Sequence, residues 1–432
     1  MKNQMEKNVT TLEALAIVVG MIIGSGIFLK PSVVLSSAGS PLMAILAWVA
    51  GGIITLASAL SIAELASAIP KTGGLYTYLE DIYGGLWGFL LGWVQTIISY
   101  PASIAAQTIA FATYANVFFP MSKMGQTILA IAVLFFLLVM NILSTKYGGL
   151  IQTLATFGKL IPVVGIIVFG ITYAGPLNFE AVDAVTVTGF GAAILGTLWA
   201  YDGWISVTNM AGELKNPKKL PQVISFGIIF VIIVYAVFNL AMFKVLPSEV
   251  VATSETPGVE AATVLFGNGG GAFITAGIMI SVFGSLNGYL MTSARVPLSM
   301  GEKRMLPCAK VFGAIHPKYG TPANSLIMQS VLAVLYIMSG SFNVLTDILV
   351  FVIWIFFTMG VFGVFVMRKK FPEMQGEYKV PFYPVTPIIG VVGSGYILIS
   401  TVMSSPVNSI IGLAITAVGI PVYYYLTKQN KA

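Results

Sequence analysis

Apolar residues run almost continuously along this chain, in segments of about 20 residues that short polar stretches separate. A segment of that length and composition predicts a helix that crosses the hydrocarbon core of a membrane. A sliding window of about 19 residues finds roughly twelve such segments. The pattern therefore predicts an all-α membrane protein with about twelve transmembrane helices.

Two of the predicted spans are interrupted near their middle. The first span, from about Thr11 to Ser37, is broken between Gly24 and Phe28, and the sixth is broken between Ala200 and Trp204. In a bilayer a helix unwinds only where its freed backbone groups meet a cavity or a ligand. Broken helices in corresponding positions of two halves indicate a secondary transporter built from inverted repeats.

The order of the spans suggests how the single transmembrane domain is divided. We predict five spans in a first repeat at about 11–173, five in a second repeat at about 188–370, and two further helices at about 385–427. The segment from Lys71 to Asp81 is amphipathic and too charged to cross. We expect it to form an interfacial helix with tyrosines at headgroup depth and acids toward water.

Composition agrees with this pattern. The chain has 432 residues, of which 57% are apolar and 9% charged, and its mean hydropathy is +0.91. Soluble globular proteins of this size do not have such a composition. The first apolar run is longer than that of a signal peptide and lacks a small-residue cleavage pattern, so we expect a retained first helix.

The chain has a net charge of +6, and the distribution of its basic residues indicates which loops are cytoplasmic. With alternating spans, every Lys and Arg falls in a cytoplasmic segment except Lys30, Lys123 and Lys244 outside and Lys159 within a span. This asymmetry places both termini in the cytoplasm of a multi-pass plasma-membrane protein. It argues against a nucleic-acid partner and makes the lipid bilayer the main surroundings.

Few residues are available for covalent, metal or nucleotide chemistry. Cys308 is the sole cysteine, so no internal disulfide can form, and His316 is the sole histidine, so a His-pair metal site is excluded. No phosphate-binding Gly-x-x-x-x-Gly-Lys-[Ser/Thr] loop occurs, which argues against an ATP-driven pump. We predict no cofactor and no metal.

The two breaks offer backbone groups that suit an amino acid. The lower half of a broken helix ends in carbonyls with a partial negative charge, and the upper half begins with amides and a partial positive charge. The amides would bind the carboxylate and the carbonyls the ammonium, groups that are costly to bury without partners. The predicted substrate-binding residues are Ile22, Ile23, Gly24, Ser25, Gly26, Ile27, Trp199, Ala200, Tyr201, Asp202 and Gly203.

Three features of these breaks have a structural alternative. The glycines permit close approach to a ligand, but Gly20 and Gly24 also have the spacing of tight helix packing. Asp202 either meets an ammonium or a cationic side chain, or is the N-cap of a helix resuming at Gly203. Tyr201 and Trp204 either close the pocket toward the outside or pack between helices.

Lys159 lies near the middle of the fifth span, too deep to reach the interface easily. A charge there costs at least about 2.5 kcal/mol on insertion scales and therefore indicates a functional site. A purely structural lock between helices is the alternative.

Two further residues are gate candidates. Glu64, near the inner end of the second span, pairs with a basic residue of an inner loop or is simply solvated. Tyr235 in the seventh span reaches the pocket only if that helix has the rotation we assume.

Four motifs in order resemble the amino acid–polyamine–organocation superfamily, and within it the L-type amino acid transporter branch. They are the broken segment at 24–28, the loop at 70–76, the segment at 199–204 and the segment at 212–217. The similarity covers nearly the whole chain and is greatest to bacterial alanine-serine-cysteine and serine/threonine exchangers.

The resemblance implies a LeuT-like fold of five plus five inverted helices with two extra C-terminal helices. In that arrangement Lys159 replaces a bound sodium, its ammonium meeting a carbonyl near Gly20 and the hydroxyl of Ser281 or Ser285. Eukaryotic members carry a cysteine between their third and fourth spans that links a heavy subunit. The corresponding loop here, near Pro120 to Lys123, has none, so no disulfide-linked heavy subunit is expected.

These observations together predict a sodium-independent exchanger of small neutral L-amino acids (alanine, serine, threonine, cysteine) that works by alternating access. A proton-coupled symporter that titrates Lys159, and an exchanger of cationic amino acids that uses Asp202, are the alternatives. A membrane enzyme or a channel fits less well, because the sequence has neither a cluster of catalytic residues nor a ring of polar residues along one helix.

Overall fold

The computed structural model describes residues 11–69, 74–143, 158–205, 219–339, 341–374 and 376–431. The regular structure within those ranges is entirely helical. Several predicted features lie outside the described residues: the N-terminal segment, the loop at 70–73, the first part of the fifth span and the end of the sixth span with its following loop.

The segment predicted as the first repeat contains its helices in the expected order. They are α1 (Thr11–Ile22), α2 (Gly26–Ala38), α3 (Pro41–Ala68), α4 (Leu75–Tyr83), α5 (Gly85–Val94), α6 (Tyr100–Phe118), α7 (Lys123–Leu143) and α8 (Leu160–Thr172). A π-helical turn, Gln95–Ser99, joins α5 and α6 into one continuous helix.

The rest of the chain is also a series of helices. They are α9 (Val187–Tyr201), α10 (Leu220–Val245), α11 (Ser248–Thr253), α12 (Pro257–Ser293), α13 (Arg295–Glu302), α14 (Ala309–Phe312), α15 (Ala323–Ser339), α16 (Phe342–Lys370), α17 (Val385–Ser404) and α18 (Pro406–Lys431).

Among the described residues, eight helices are long and apolar enough to cross a membrane. Shorter apolar helices add to them, including α2, α8 and α9. The protein is thus a multi-pass, all-helical membrane protein. The count of twelve spans and the inverted repeat stay predictions.

The helices alternate between two faces of the bundle. We call the face that contains the turn at Gly39 the upper face, and the face that contains Ile69 the lower face. The turn at Gly39 has a left-handed backbone (φ 79°), which glycine adopts without strain. The next residue, Ser40, caps α3 by accepting a hydrogen bond from the Met43 amide.

Small residues let the helices around the two breaks pack closely. A Cβ on Gly51 of α3 would lie 2.1 Å from the Thr197 hydroxyl oxygen of α9, and one on Gly52 would lie 2.3 Å from Ile232 of α10. Glycine at these positions therefore brings α3 against both helices. The α9 end at Tyr201 is held in the middle of this packing.

The structure corrects the predicted position of Lys30. Charge counting placed it outside the membrane, but it lies inside α2 and is completely buried. Its charge is balanced by partners on α16, which no local pattern reveals.

The amphipathic helix also differs in detail from its prediction. α4 forms as expected, but Tyr76 and Tyr78 are buried against the protein and do not line an outer surface. Burial raises the pKa of Tyr78 to about 12, so this phenol stays neutral at physiological pH. Glu80, by contrast, is partly exposed and pairs with Lys303.

Candidate substrate site

The first helix is broken, as the sequence predicts, but the break is shorter than the predicted one at 24–28 and begins one residue earlier. α1 ends at Ile22, residues 23–25 form a bend, and α2 begins at Gly26. The first amides of a helix have no acceptor within it, so those of Gly26 and Ile27 can bind an anion. The last carbonyls of α1 are likewise left without intrahelical donors. The break thus holds both kinds of free backbone group side by side.

The second break lies beside the first. α9 ends at Tyr201, and a turn follows from Asp202 to Ile205, where Gly203 has a φ of +109° that favours glycine. Residues 202–205 form a turn, and the stretch in which a helix would resume lies outside the described residues, so the N-cap interpretation of Asp202 stays a prediction. The Asp202 amide donates to the Trp199 carbonyl, and its carboxylate accepts from the Tyr289 hydroxyl at 2.9 Å.

Tyr235 of α10 connects the two breaks. Its hydroxyl lies 2.9 Å from the Ile22 carbonyl oxygen and 2.8 Å from the Ala200 carbonyl oxygen. Helix α10 therefore has the rotation that the sequence argument assumed. Two of the carbonyls predicted to bind an ammonium converge on a single polar point, which is the geometry that such a ligand requires.

Residues of α6 and α12 form the other wall of the first break. The Ser25 hydroxyl donates to Gln107 Oε1 at 2.8 Å. A Cβ placed on Gly24 would lie 2.9 Å from the Ser285 hydroxyl oxygen and 3.9 Å from Gln107 Nε2. Gly24 thus lets two polar side chains approach the unwound backbone. Gln107 is a site residue that the sequence argument missed.

The two broken helices touch at Gly26. A Cβ on this residue would lie 2.6 Å from the Ala200 Cβ and 2.7 Å from the Ala200 Cα, with the Trp199 ring at 3.2 Å. Only glycine allows α2 and α9 to meet at this distance. The N-terminal end of α2 is therefore held directly against the last turn of α9.

Lys159 makes one of the two contacts expected of it. Its side chain is 1% exposed, and its ammonium donates to the Gly20 carbonyl near the end of α1. The Ser285 hydroxyl instead donates to the Ser281 carbonyl, and the buried Ser281 hydroxyl has no partner among the described residues. Lys159 therefore binds α1, while a bond to α12 stays a prediction.

An aromatic contact closes the site on the upper side. The Trp199 ring packs edge-to-face on Phe342 of α16, with centroids 4.9 Å apart. Trp204, which was the predicted aromatic gate, lies after α9 and packs against Phe357, so its position favours the packing alternative. Tyr201 donates to the Trp48 carbonyl and is also fully packed.

A cavity of about 420 Å³ lies above this contact. It is open toward the upper face, and its lining includes Leu29 of α2, Thr113 of α6, Phe342 and Asn343. Phe342 thus lines the cavity and also contacts Trp199. The Trp199–Phe342 pair therefore lies between the cavity and Gly26.

Glu64 has the basic partner that the gate prediction required. Its carboxylate accepts from Arg368 Nε at 2.7 Å and Nη2 at 2.8 Å, and from the Val380 amide at 2.6 Å. This bidentate pair joins the lower ends of α3 and α16. Arg368 belongs to the last turn of α16 rather than to a loop, where its charge also complements the helix dipole.

Within the described ranges, no group of three His, Cys, Asp or Glu side chains could hold a metal ion. The described site consists of backbone groups, hydroxyls, the Gln107 amide and aromatic rings, together with the charged side chains of Lys159 and Asp202. Such a set of groups suits a polar ligand. The fold and the site together define a membrane transporter.

Comparison with known proteins identifies the family. Residues 9–425 match the family model described as amino acid permease, so the chain belongs to the amino acid permease family, whose members are transporters and not enzymes. This confirms the resemblance found in the motifs. Serine/threonine exchanger SteT of Bacillus subtilis (strain 168) is 44% identical over 432 residues, which cover 99% of this chain and 98% of that protein.

Mammalian transporters are also similar to this chain. Large neutral amino acids transporter small subunit 2 of Mus musculus is 34% identical, covering 97% of this chain and 81% of that protein. The Cystine/glutamate transporter of Homo sapiens is 31% identical, covering 100% and 87%. The chain is therefore a multi-pass amino acid transporter.

Proposed function

We propose that this protein exchanges small neutral L-amino acids such as alanine, serine, threonine and cysteine across the plasma membrane without sodium. The observation that carries the proposal is the convergence of the Ile22 and Ala200 carbonyls on one point, beside the start of α2. The relative named as a serine/threonine exchanger supports this substrate class.

The amino acid lies between the two breaks in this proposal. Its carboxylate accepts from the amides of Ser25, Gly26 and Ile27, where the α2 dipole favours an anion. Its ammonium donates to the carbonyls that Tyr235 now meets, with those of Ile23 and Trp199 nearby. Gly203 lets the turn below the site adopt the positive φ that it has in the structure.

The size of the substrate follows from what surrounds this position. Gly26 is in contact with Ala200, and Trp199 and Phe342 close the space above them. A small side chain leaves this contact intact, whereas a large one separates the rings. The proposal therefore favours serine over leucine or phenylalanine.

Lys159 takes the place of a sodium ion in this account. A fixed ammonium at the Gly20 carbonyl supplies the positive charge that a bound cation would supply. Sodium then has no site to fill at the end of α1. Transport is consequently independent of the sodium gradient.

The unpaired helix ends also explain why transport is an exchange. Without a ligand, closing the protein leaves the first amides of α2 unsatisfied in a nonpolar environment, because Tyr235 and Lys159 meet only carbonyls. The empty carrier thus reorients slowly, and an amino acid must return before the next one enters. The helices α1, α2, α3, α9 and α10 rock against the rest in a LeuT-like inverted repeat.

Charge distribution orients the protein. The lower face carries Arg304, Lys310 and the basic end of α16, while the upper-face loops carry Glu180 and Glu249. The lower face is therefore cytoplasmic, with both termini, and the upper face is extracellular. No heavy subunit is disulfide-linked, since Cys308 lies at the lower face.

Exchange in proteoliposomes tests this proposal. We expect radiolabelled serine to accumulate at least about 10-fold more in vesicles preloaded with serine than in empty ones, because the empty carrier is trapped. Replacing sodium with choline leaves the rate unchanged, and unlabelled threonine competes while arginine does not.

Two outcomes contradict the proposal. Equal uptake into empty and loaded vesicles excludes exchange. If a pH gradient alone drives serine uptake into empty vesicles, the result supports the proton-coupled symporter instead. The Asp202–Tyr289 bond argues against a free carboxylate for cationic substrates, so competition by arginine would overturn that part.

A further inference from the structure

Lys30 is the least expected charge in the described part of the chain. It lies on α2 four residues after Gly26, so one helical turn, about 5.4 Å, separates it from the start of the anion-binding end. Its side chain is 0% exposed. A charge buried this completely requires compensating partners.

Within the described ranges, the polar partners of Lys30 belong to the first turns of α16. The Lys30 ammonium donates to the Thr346 hydroxyl at 2.7 Å and to Asn343 Oδ1 at 3.2 Å, and it lies 3.6 Å from Asp347 Oδ1. It also lies 5.3 Å from the centroid of the Phe342 ring. One side chain of α2 thus fixes the upper end of α16 in place.

That end of α16 carries the ring that closes the substrate site. Phe342 contacts Trp199 on one side and lines the upper cavity on the other. An amino acid that moves from the cavity to Gly26 must separate Phe342 from Trp199. The ring pair joins α9 to α16, and the ion pair joins α2 to α16. Because α2 and α9 are in contact at Gly26, a movement of α16 away from them separates both pairs.

We propose that Lys30 and Asp347 are positioning residues that hold Phe342 across the upper entrance and make its opening depend on a ligand that carries a carboxylate. This inference rests on the proposed function for the direction of substrate movement. Parting the pair leaves a buried ammonium without its counter-ion. The α-carboxylate of an arriving amino acid supplies the replacement, so the entrance opens for substrate and stays closed when the carrier is empty.

The lower end of α16 is held by a different ion pair. There Glu64 and Arg368 join α3 to α16 through two hydrogen bonds. The helix is therefore held to the broken-helix side at both faces by separate ion pairs. The two pairs are distinguishable, because the upper one faces a cavity beside the site and the lower one is next to the loop at Val380.

The rate of cysteine modification measures how accessible the site is through the upper entrance, and this measurement does not require transport. Cys308 is the single cysteine of the chain, so Cys308→Ser gives a cysteine-free background in which Ser285→Cys reports the space beside Gly24. A charged, membrane-impermeant methanethiosulfonate is added to intact cells and, separately, to inside-out vesicles. The modification rate is read by mass spectrometry.

We expect the double variant Lys30→Met/Asp347→Leu to react at least about 5-fold faster than its parent from the upper face only. Serine raises the parent's rate from that face but not the variant's. A second protein carries Lys30→Met, Asp347→Leu and Cys308→Ser but keeps Ser285. We expect empty proteoliposomes that contain it to take up serine. The surface pair variant Lys303→Met, whose ion pair is exposed, leaves the rate unchanged.

Equal reaction rates in parent and double variant overturn the proposal, as does a faster rate from the lower face alone. Should the double variant fail to fold, Asp347→Asn keeps the side-chain volume and is expected to give a smaller increase of about 3-fold. No increase in that folded variant also overturns it. Because modification does not depend on transport, loss of exchange with a normal modification pattern would contradict the proposed function and leave the entrance mechanism standing.

Discussion

Serine exchange is expected to fall about 10- to 100-fold when Lys159 is replaced by methionine. Methionine has a similar length and fills the same space, but it has no donor for the Gly20 carbonyl. That carbonyl then lies in a buried environment, near the end of α1, without a charged partner. Initial rates of serine exchange in loaded proteoliposomes measure the loss.

A matched lysine provides the control. Lys244 of α10 also donates to a backbone carbonyl, that of Ile171, at 2.7 Å, but this bond is exposed to solvent. Lys244→Met is expected to exchange at the parental rate, because water replaces the lost donor. Parental exchange by Lys159→Met would show that the buried ammonium is not part of the mechanism.

The second large effect is expected at Gly26. Replacing it with alanine puts a Cβ 2.7 Å from the Ala200 Cα, a backbone atom that cannot rotate away. Overpacking of this kind costs about 1 to 3 kcal/mol, which corresponds to about 5- to 150-fold. Helices α2 and α9 must separate, so the groups that hold the amino acid lose their geometry and exchange falls by that factor.

Alanine at two other glycines is expected to reduce exchange less than alanine at Gly26. At Gly24 the nearest atom is the Ser285 hydroxyl, a side chain that can turn, so Gly24→Ala is expected to reduce exchange less. At Gly395 of α17 an added Cβ meets nothing within 4 Å, so Gly395→Ala is expected to be neutral. An order in which Gly395→Ala impairs exchange as much as Gly26→Ala would refute the argument from helix contact.

The features that sequence predicted well are local ones. Glycines inside an otherwise helical apolar run predict a break at 24–28, and the structure has a bend at 23–25. The contact of Lys159 with a carbonyl near Gly20 came from the family resemblance, and the structure shows that contact. Tyr235 reaches the first break because α10 has the rotation that the prediction assumed.

The features that sequence missed depend on contacts between distant segments. Gln107 reaches Ser25 from α6, and Asp347 reaches Lys30 from α16, across 82 and more than 300 positions of the chain. Lys30 was assigned to the outside because charge counting treats every lysine near a span end as solvated. The relative rotation of helices decides such contacts, and a single sequence does not encode it in any short pattern.

The alternatives at Asp202 and Trp204 could not be separated for a related reason. The contacts of these two residues come from distant segments: Tyr289 of α12 donates to Asp202, and Phe357 of α16 packs against Trp204. Both residues come from the second half of the chain.

The most direct test is an electron cryo-microscopy map of the protein with L-serine bound. The account predicts density for serine between α2 and α9, with its carboxylate at the amides of Ser25 to Ile27 and its ammonium at the Ile22 and Ala200 carbonyls. Serine bound elsewhere, or an unbroken helix through residues 20–30, would contradict it.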